Sequence, residues 1–196
     1  MTEHPTPAAP PSARRKYILF TVFTVVSLFL DQWTKVLARH HLQPRGPYRP
    51  KVVIDGWFDL RYAENPGVAF SMLTDIPGGR VLLTLLAVGA FILVLYYLRK
   101  TPVENTRLHV ALGLVGGGAI GNLVDRVMYG RVTDFIVWKV TLKNDFLWFH
   151  KGVNEWPAFN IADAALVAGV CLMLLDMLLT SRSARKAEAR TPPAKA

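Results

Sequence analysis

The sequence predicts an all-α membrane protein: four transmembrane helices with a small β-rich extramembrane element on the outer face. Three observations carry this. Of the 196 residues, 52% are hydrophobic, and they lie in blocks rather than in the periodic stripe of a soluble helix. Residues 81–98, VLLTLLAVGAFILVLYYL, contain no charge. At about 1.5 Å per residue they nearly cross a ~30 Å hydrocarbon core. Between the apolar blocks lie two polar, aromatic stretches that cannot span.

Residues 1–16 form a Pro-, Ala- and Thr-rich tail expected to be disordered. Arg14, Arg15 and Lys16 then lead into the first helix, 17–38. A basic start and an apolar run resemble a secretory signal peptide. Asp31 and Lys35, however, occupy the approach to the candidate cleavage site, which should be neutral, so the run reads as an uncleaved helix. At i, i+4 these two share a helix face and can pair.

Residues 40–79 are too polar and proline-rich to cross. Val52–Ile54, Asp55-Gly56 and Trp57–Tyr62 read as a hairpin, because Asp-Gly takes the positive φ of a tight turn. Asn65-Pro66-Gly67 breaks the strand, and residues 68–73 form a short apolar piece suited to an interfacial or re-entrant position. The second helix covers 81–98 and the third 108–129, joined by a short basic loop. In the third, Gly113, Gly116, Gly117, Gly118 and Gly121 favour close helix approach in lipid, with Gly117 and Gly121 forming G-x-x-x-G. Residues 136–142 and 146–150, around Lys143-Asn144-Asp145, suggest a second hairpin. Trp138, Trp148 and Trp156 suit a membrane–water boundary. The fourth helix covers 159–180, completing one membrane domain over 17–180, and 181–196 is a basic tail.

A formal charge of +9 raises nucleic-acid binding, but no basic helix with interleaved aromatics is present; lysines and arginines at membrane flanks account for it. They divide almost evenly between the two sides. Arg14–Lys16, Arg99–Lys100 and Arg182–Lys186 directly flank apolar runs, which places both termini in the cytoplasm and the polar loops outside. The single cysteine, Cys171, excludes an intramolecular disulfide. Neither metal-ligand spacing, nor a G-x-S-x-G, nor a phosphate loop occurs.

The chemistry concentrates in residues 116–136, GGGAIGNLVDRVMYGRVTDFI, and in the later FNIADAA at 159–165. An ionisable group at membrane depth costs about 2.5–3.5 kcal/mol on insertion scales. Here Asp31, Asp125, Asp134 and Asp163 gather near the outer helix ends. Asn122 and Asp125 are i, i+3, as are Asn160 and Asp163, so each pair shares a face. Two adjacent carboxylates share a proton: one takes a proton from water while the other, protonated, polarises a carbonyl. Structural readings compete. Asp31 has Lys35 one turn away, and Asp125 has Arg126 beside it; Asp134 and Asp163 have no adjacent cation. Spacing alone does not choose which two aspartates react. A small transporter and a non-catalytic assembly factor remain the alternatives.

At these residues the sequence resembles the bacterial lipoprotein signal peptidases, the type II signal peptidase family. The pieces are Asp31-Gln-Trp-Thr-Lys35, Asn65-Pro-Gly-Val-Ala-Phe70, Gly117-Gly-Ala-Ile-Gly-Asn-Leu-Val-Asp-Arg126, Gly130-Arg-Val-Thr-Asp-Phe-Ile136 and Phe159-Asn-Ile-Ala-Asp163, in family order. The resemblance implies an intramembrane aspartic endopeptidase of the inner membrane, removing the signal peptide of prolipoproteins just before the diacylglyceryl-modified cysteine. It implies Asp134 and Asp163 as the catalytic pair near the outer face. It implies Asp31, Lys35, Asn65, Gly67, Asn122, Asp125, Arg126, Asn160 and Ala162 as supporting or substrate-contacting residues. No metal or organic cofactor is implied. The expected partners are lipidated precursors and membrane lipids, and the protein is expected to act as a monomer. The segment between Asp134 and Asp163 looks longer than in compact members, and the two tails have no motif counterpart.

Overall fold

Lipid offers no hydrogen bonds, so a spanning chain must satisfy its backbone within helices or closed sheets. The computed structural model describes residues 13–46, 48–67, 79–142 and 152–188. Among these residues, four helices are long and apolar enough to cross a membrane: α1 (Ala13–His41), α2 (Gly79–Lys100), α3 (Thr106–Tyr129) and α4 (Ile161–Glu188). Four strands, β1 (Lys51–Ile54), β2 (Phe58–Asn65), β3 (Val132–Leu142) and β4 (Gly152–Glu155), form one antiparallel sheet in the order β1-β2-β3-β4.

α3 is the central helix, packed against α1, α4 and α2. Its glycines make that possible. A Cβ on Gly117 would collide with Ser27 Oγ and lie 2.7 Å from the Thr24 carbonyl of α1. On Gly118 it would meet the Ala162 carbonyl of α4 at 2.5 Å, and on Gly121 it would meet Asp31 Oδ2 at 2.5 Å. Apolar interiors give no extra drive to helix association in lipid, so close backbone approach and interhelical hydrogen bonds supply it; Thr24 Oγ1 donates to the Gly113 carbonyl at 3.1 Å. The outer helix surfaces carry exposed Val22, Phe29, Leu85, Ile92, Val167 and Leu174, the lipid-facing side of a bundle.

The helix boundaries shift from expectation for local reasons. α1 starts at Ala13, inside the expected tail, and Lys16 Nζ anchors it to the carbonyls of Arg99 and Thr101 at 3.1 and 2.8 Å. α3 is capped by Asn105, whose side chain accepts from the Leu108 N–H. The same residue donates to Asp176 of α4 at 2.6 Å, and Arg107 pairs with Asp176 at 3.1 Å. α4 runs to Glu188, into the expected tail, and begins at Ile161 because Asn160 serves as its cap.

The hairpin at Asp55-Gly56 forms as expected: β1 pairs with β2, and Gly56 takes φ +74°. The second hairpin differs. The strand paired with β3 is Gly152–Glu155, with Lys139 opposite Glu155. The expected return strand at 146–150 lies outside the described residues, as do the segment 68–73, residues 1–12 and residues 189–196. β3 also begins at Val132, four residues early, and pairs with β2 along Asn65↔Val132, Ala63↔Asp134 and Phe58↔Trp138. The two hairpins therefore merge into one sheet, which Lys139–Asp59 and Arg61–Glu155 ion pairs tie across strands.

Candidate active site

The turn from α3 into β3 sets the site. Gly130 takes the left-handed conformation at φ +75° and its N–H returns to the Arg126 carbonyl, a helix-ending cap. The chain then enters β3 with Asp134 as its third residue. Successive strand residues face opposite sides: Phe135 packs against Ala38 of α1 and against Leu42 just beyond it, and Asp134 turns towards Asn160. The N–H groups of Phe135 and Ile136 both bond the Phe159 carbonyl, and the Phe159 N–H bonds the Ile136 carbonyl. That stitch holds the start of α4 against β3 and brings the FNIAD segment to Asp134.

Asn160 joins the two carboxylates. Its Nδ2 donates to Asp134 Oδ1 at 2.7 Å, while its backbone N–H donates to Asp163 Oδ2 at 3.1 Å. Its Oδ1 accepts from the Asp163 N–H at 2.9 Å. The reciprocal bonds make a capping box built from Asn and Asp, which explains the spacing Asn160-x-x-Asp163. Asn122 Nδ2 donates to Asp163 Oδ1 at 2.8 Å, and Asn65 Nδ2 donates to Asp134 Oδ2 at 3.1 Å. Asn65 reaches Asp134 because it lies opposite Val132, two residues away on the same sheet face. The Gly67 N–H closes a turn on Asn65 Oδ1 at 3.0 Å and holds that side chain in place.

Asp134 is 3% exposed. Burial, then the charge of Asp163, push its carboxyl up to about 7. Hydrogen bonds from Asn65 and Asn160 pull the other way without cancelling this. Asp163 is half-buried in the first turn of α4. The pair thus offers one carboxyl that holds a proton near neutrality beside a second acid, as general acid–base chemistry at a carbonyl requires.

Beneath the pair lies a buried charge cluster. Lys35 is fully buried and bonds Asp31 at 2.9 Å, Asp125 at 3.4 Å and Asn122 Oδ1 at 2.9 Å. Asp31 Oδ1 also accepts from the backbone N–H of Ala162, an otherwise free donor in the first turn of α4, at 2.9 Å. Asp125 Oδ2 accepts from the Thr133 N–H at 2.8 Å. The Asp31–Lys35 pair is the one its spacing predicts. The cations of Asp125 are Lys35 and Arg39, however, and not its neighbour Arg126, because adjacent helix residues do not face each other. Arg126 instead donates to the Asn122 carbonyl at 3.2 Å. Arg39, which also donates to Thr133 Oγ1 at 2.7 Å, escaped the sequence reading. Its signal was present: Asp31, Lys35 and Arg39 recur every four residues on one α1 face.

The profile of the signal peptidase (SPase) II family matches residues 23–179. The chain belongs to the signal peptidase II family. A lipoprotein signal peptidase of Xanthomonas campestris pv. campestris (strain 8004) is 37% identical over 188 residues, 95% of this chain and 99% of the relative. One of Chlorobaculum tepidum is 40% identical over 157 residues, 80% of this chain and 92% of the relative. Two bacterial membrane enzyme structures determined by the in meso method share the fold. One has a TM-score of 0.67 over 90% of this chain and 94% of its own, at 24% identity. The other has a TM-score of 0.66 over 81% and 92%, at 26% identity. Signal peptidase II membership makes this chain a peptidase, hence a hydrolase, and its four apolar helices make it a multi-pass membrane protein.

Proposed function

We propose that this member of the family is an aspartic endopeptidase that removes the signal peptide of prolipoproteins just before the diacylglyceryl-modified cysteine, with Asp134 and Asp163 as its catalytic pair. The observation that carries this is the bridge through Asn160, which hydrogen-bonds both carboxyl groups at once. Asp134 is the acid, because its carboxyl retains a proton near neutrality. Asp163 is the base and takes a proton from water.

The resulting hydroxide adds to the scissile carbonyl carbon while Asp134 gives its proton to the carbonyl oxygen, leaving a neutral gem-diol. Collapse breaks the C–N bond as Asp163 returns its proton to the leaving nitrogen, and a diol hydroxyl reprotonates Asp134. Asn122, Asn160 and Asn65 fix the carboxylate orientations, so little is reorganised during the reaction. Asp31, Lys35, Asp125 and Ala162 lock α1, α3 and α4 beneath them, and Arg126 offsets the acidic charge. Both termini lie in the cytoplasm and the sheet on the outer side, a placement supported by the basic residues flanking the sheet-free helix ends. The acyl chains of the substrate stay in lipid beside the helices.

The test incubates purified protein with a diacylglyceryl-modified precursor and with its unlipidated counterpart. Cleavage of the lipidated form alone is the expected result. Equal cleavage of both, or of neither, contradicts the assignment.

A further inference from the structure

We infer that the groove between α1 and the β1–β2 hairpin, closed by Phe135 of β3, binds the head group of an anionic phospholipid. The groove has a volume of about 520 Å³, within the ~300–1,000 Å³ of small-molecule sites. Leu37, Ala38, Leu42, Leu60 and Phe135 form its apolar wall. Its polar lining includes exposed His41, Arg45 and Lys51, and no carboxylate.

A second, independent observation is the charge of the chain that builds it. Residues 36–54 contain Arg39, Arg45, Arg49 and Lys51 and no Asp or Glu. Arg39 is taken up by Asp125 and Thr133. Among the described residues, Arg45, Arg49 and Lys51 make no ion pair. Compensation of the α1 C-terminus accounts for His40 and His41. It does not account for Lys51, which comes from β1 and sits opposite Leu60 across the hairpin. On the proposed outer side this cationic run also opposes the usual charge bias of membrane proteins. Anionic head groups attract such clusters by about tenfold in affinity for one or two cations.

The geometry suits a lipid rather than a free anion. Exposed apolar residues on the same side of α1, Val26, Leu30 and Leu37, lead up to the groove. Acyl chains can lie along that face while the phosphate meets Arg45 and Lys51. The occupant would brace the hairpin against α1 without entering the catalytic site, because neither Asp134 nor Asp163 nor the asparagines that hold them line the groove. The inference is independent of the peptidase assignment.

The test reconstitutes the full chain in phosphatidylcholine nanodiscs doped with a photoactivatable analogue of either phosphatidylglycerol or phosphatidylcholine, and maps the labelled peptides by mass spectrometry. The phosphatidylglycerol probe should label α1 near Leu37 and β2 near Leu60 on the order of tenfold more than the phosphatidylcholine probe. Arg45→Gln/Lys51→Gln should remove that excess with an unchanged unfolding midpoint, since both side chains are exposed. Arg99→Gln/Lys100→Gln, at the opposite end of the bundle, should retain it. Excess inorganic phosphate should leave labelling unchanged. Equal labelling by the two probes in the wild-type chain, an excess that survives the double substitution, or displacement by inorganic phosphate would each overturn the inference.

Discussion

Asn122 accepts a hydrogen bond from Lys35 at 2.9 Å and donates one to Asp163 at 2.8 Å. A buried ammonium thereby fixes which way the amide points: its oxygen faces the lysine, so its nitrogen must face the carboxylate. Asn122→Ala removes that orienting donor from Asp163 while leaving the Asn160 bridge to both carboxyl groups. We expect kcat to fall on the order of 10–100-fold with KM changed little, read from steady-state cleavage of a lipidated peptide. A wild-type kcat in this variant would deny Asn122 an orienting role.

Lys35 neutralises two fully buried carboxylates. Lys35→Met leaves Asp31 with Gln32 and the Ala162 N–H, and leaves Asp125 with Arg39 at 3.4 Å. Removing one partner of a buried ion pair costs about 3–5 kcal/mol. The unfolding midpoint in detergent should drop accordingly, and the added substitution Asp31→Asn should recover part of the loss. A midpoint within error of wild type would mean that the cluster is not a structural lock.

The glycines of α3 differ from Gly89 in what surrounds them. Gly117→Ala drives a methyl into Ser27 and the Thr24 backbone and should destabilise by about 1–3 kcal/mol. Gly89→Ala on α2 meets open space and should be neutral or slightly stabilising. Thermal unfolding of the two variants side by side checks the contrast; equal behaviour would remove close packing as the reason for these glycines.

The helices were legible because apolar blocks and their charged flanks are local signals. So was the Asp31–Lys35 pair, which needs only a four-residue spacing. The two Asn-x-x-Asp repeats looked equivalent in sequence but do different work. Asn160 and Asp163 cap α4, whereas Asn122 and Asp125 sit within α3, and only a helix start reveals the difference. The partners of Asp125 were not legible: Lys35 and Arg39 arrive from α1 through helix packing, and adjacency pointed to Arg126 instead. Nor was the merging of two hairpins into one sheet, since β2–β3 pairing joins residues about seventy positions apart and leaves no local periodicity.

The raised carboxyl of Asp134 has consequences for activity and stability. As pH climbs through about 7, Asp134 loses the proton it must donate, so kcat/KM should fall on the alkaline side. For stability, the unfolded carboxyl titrates near 3.9 and the native one higher, so the folded protein binds more protons between those values. Its stability should therefore decline as pH rises across that window, and Asp134→Asn should flatten the decline. Unfolding midpoints measured at intervals from about pH 4 to 8 test the sign; a wild-type midpoint that rises across the window would contradict it.

The most direct measurement of the catalytic assignment is cleavage of a diacylglyceryl-modified precursor by Asp134→Asn and by Asp163→Asn, each first shown to be folded by its unfolding midpoint. Either substitution alone removes a proton-transfer group and should abolish detectable cleavage, at least about a 10³-fold loss. Full activity in either folded variant would remove that residue from the chemistry and contradict the account.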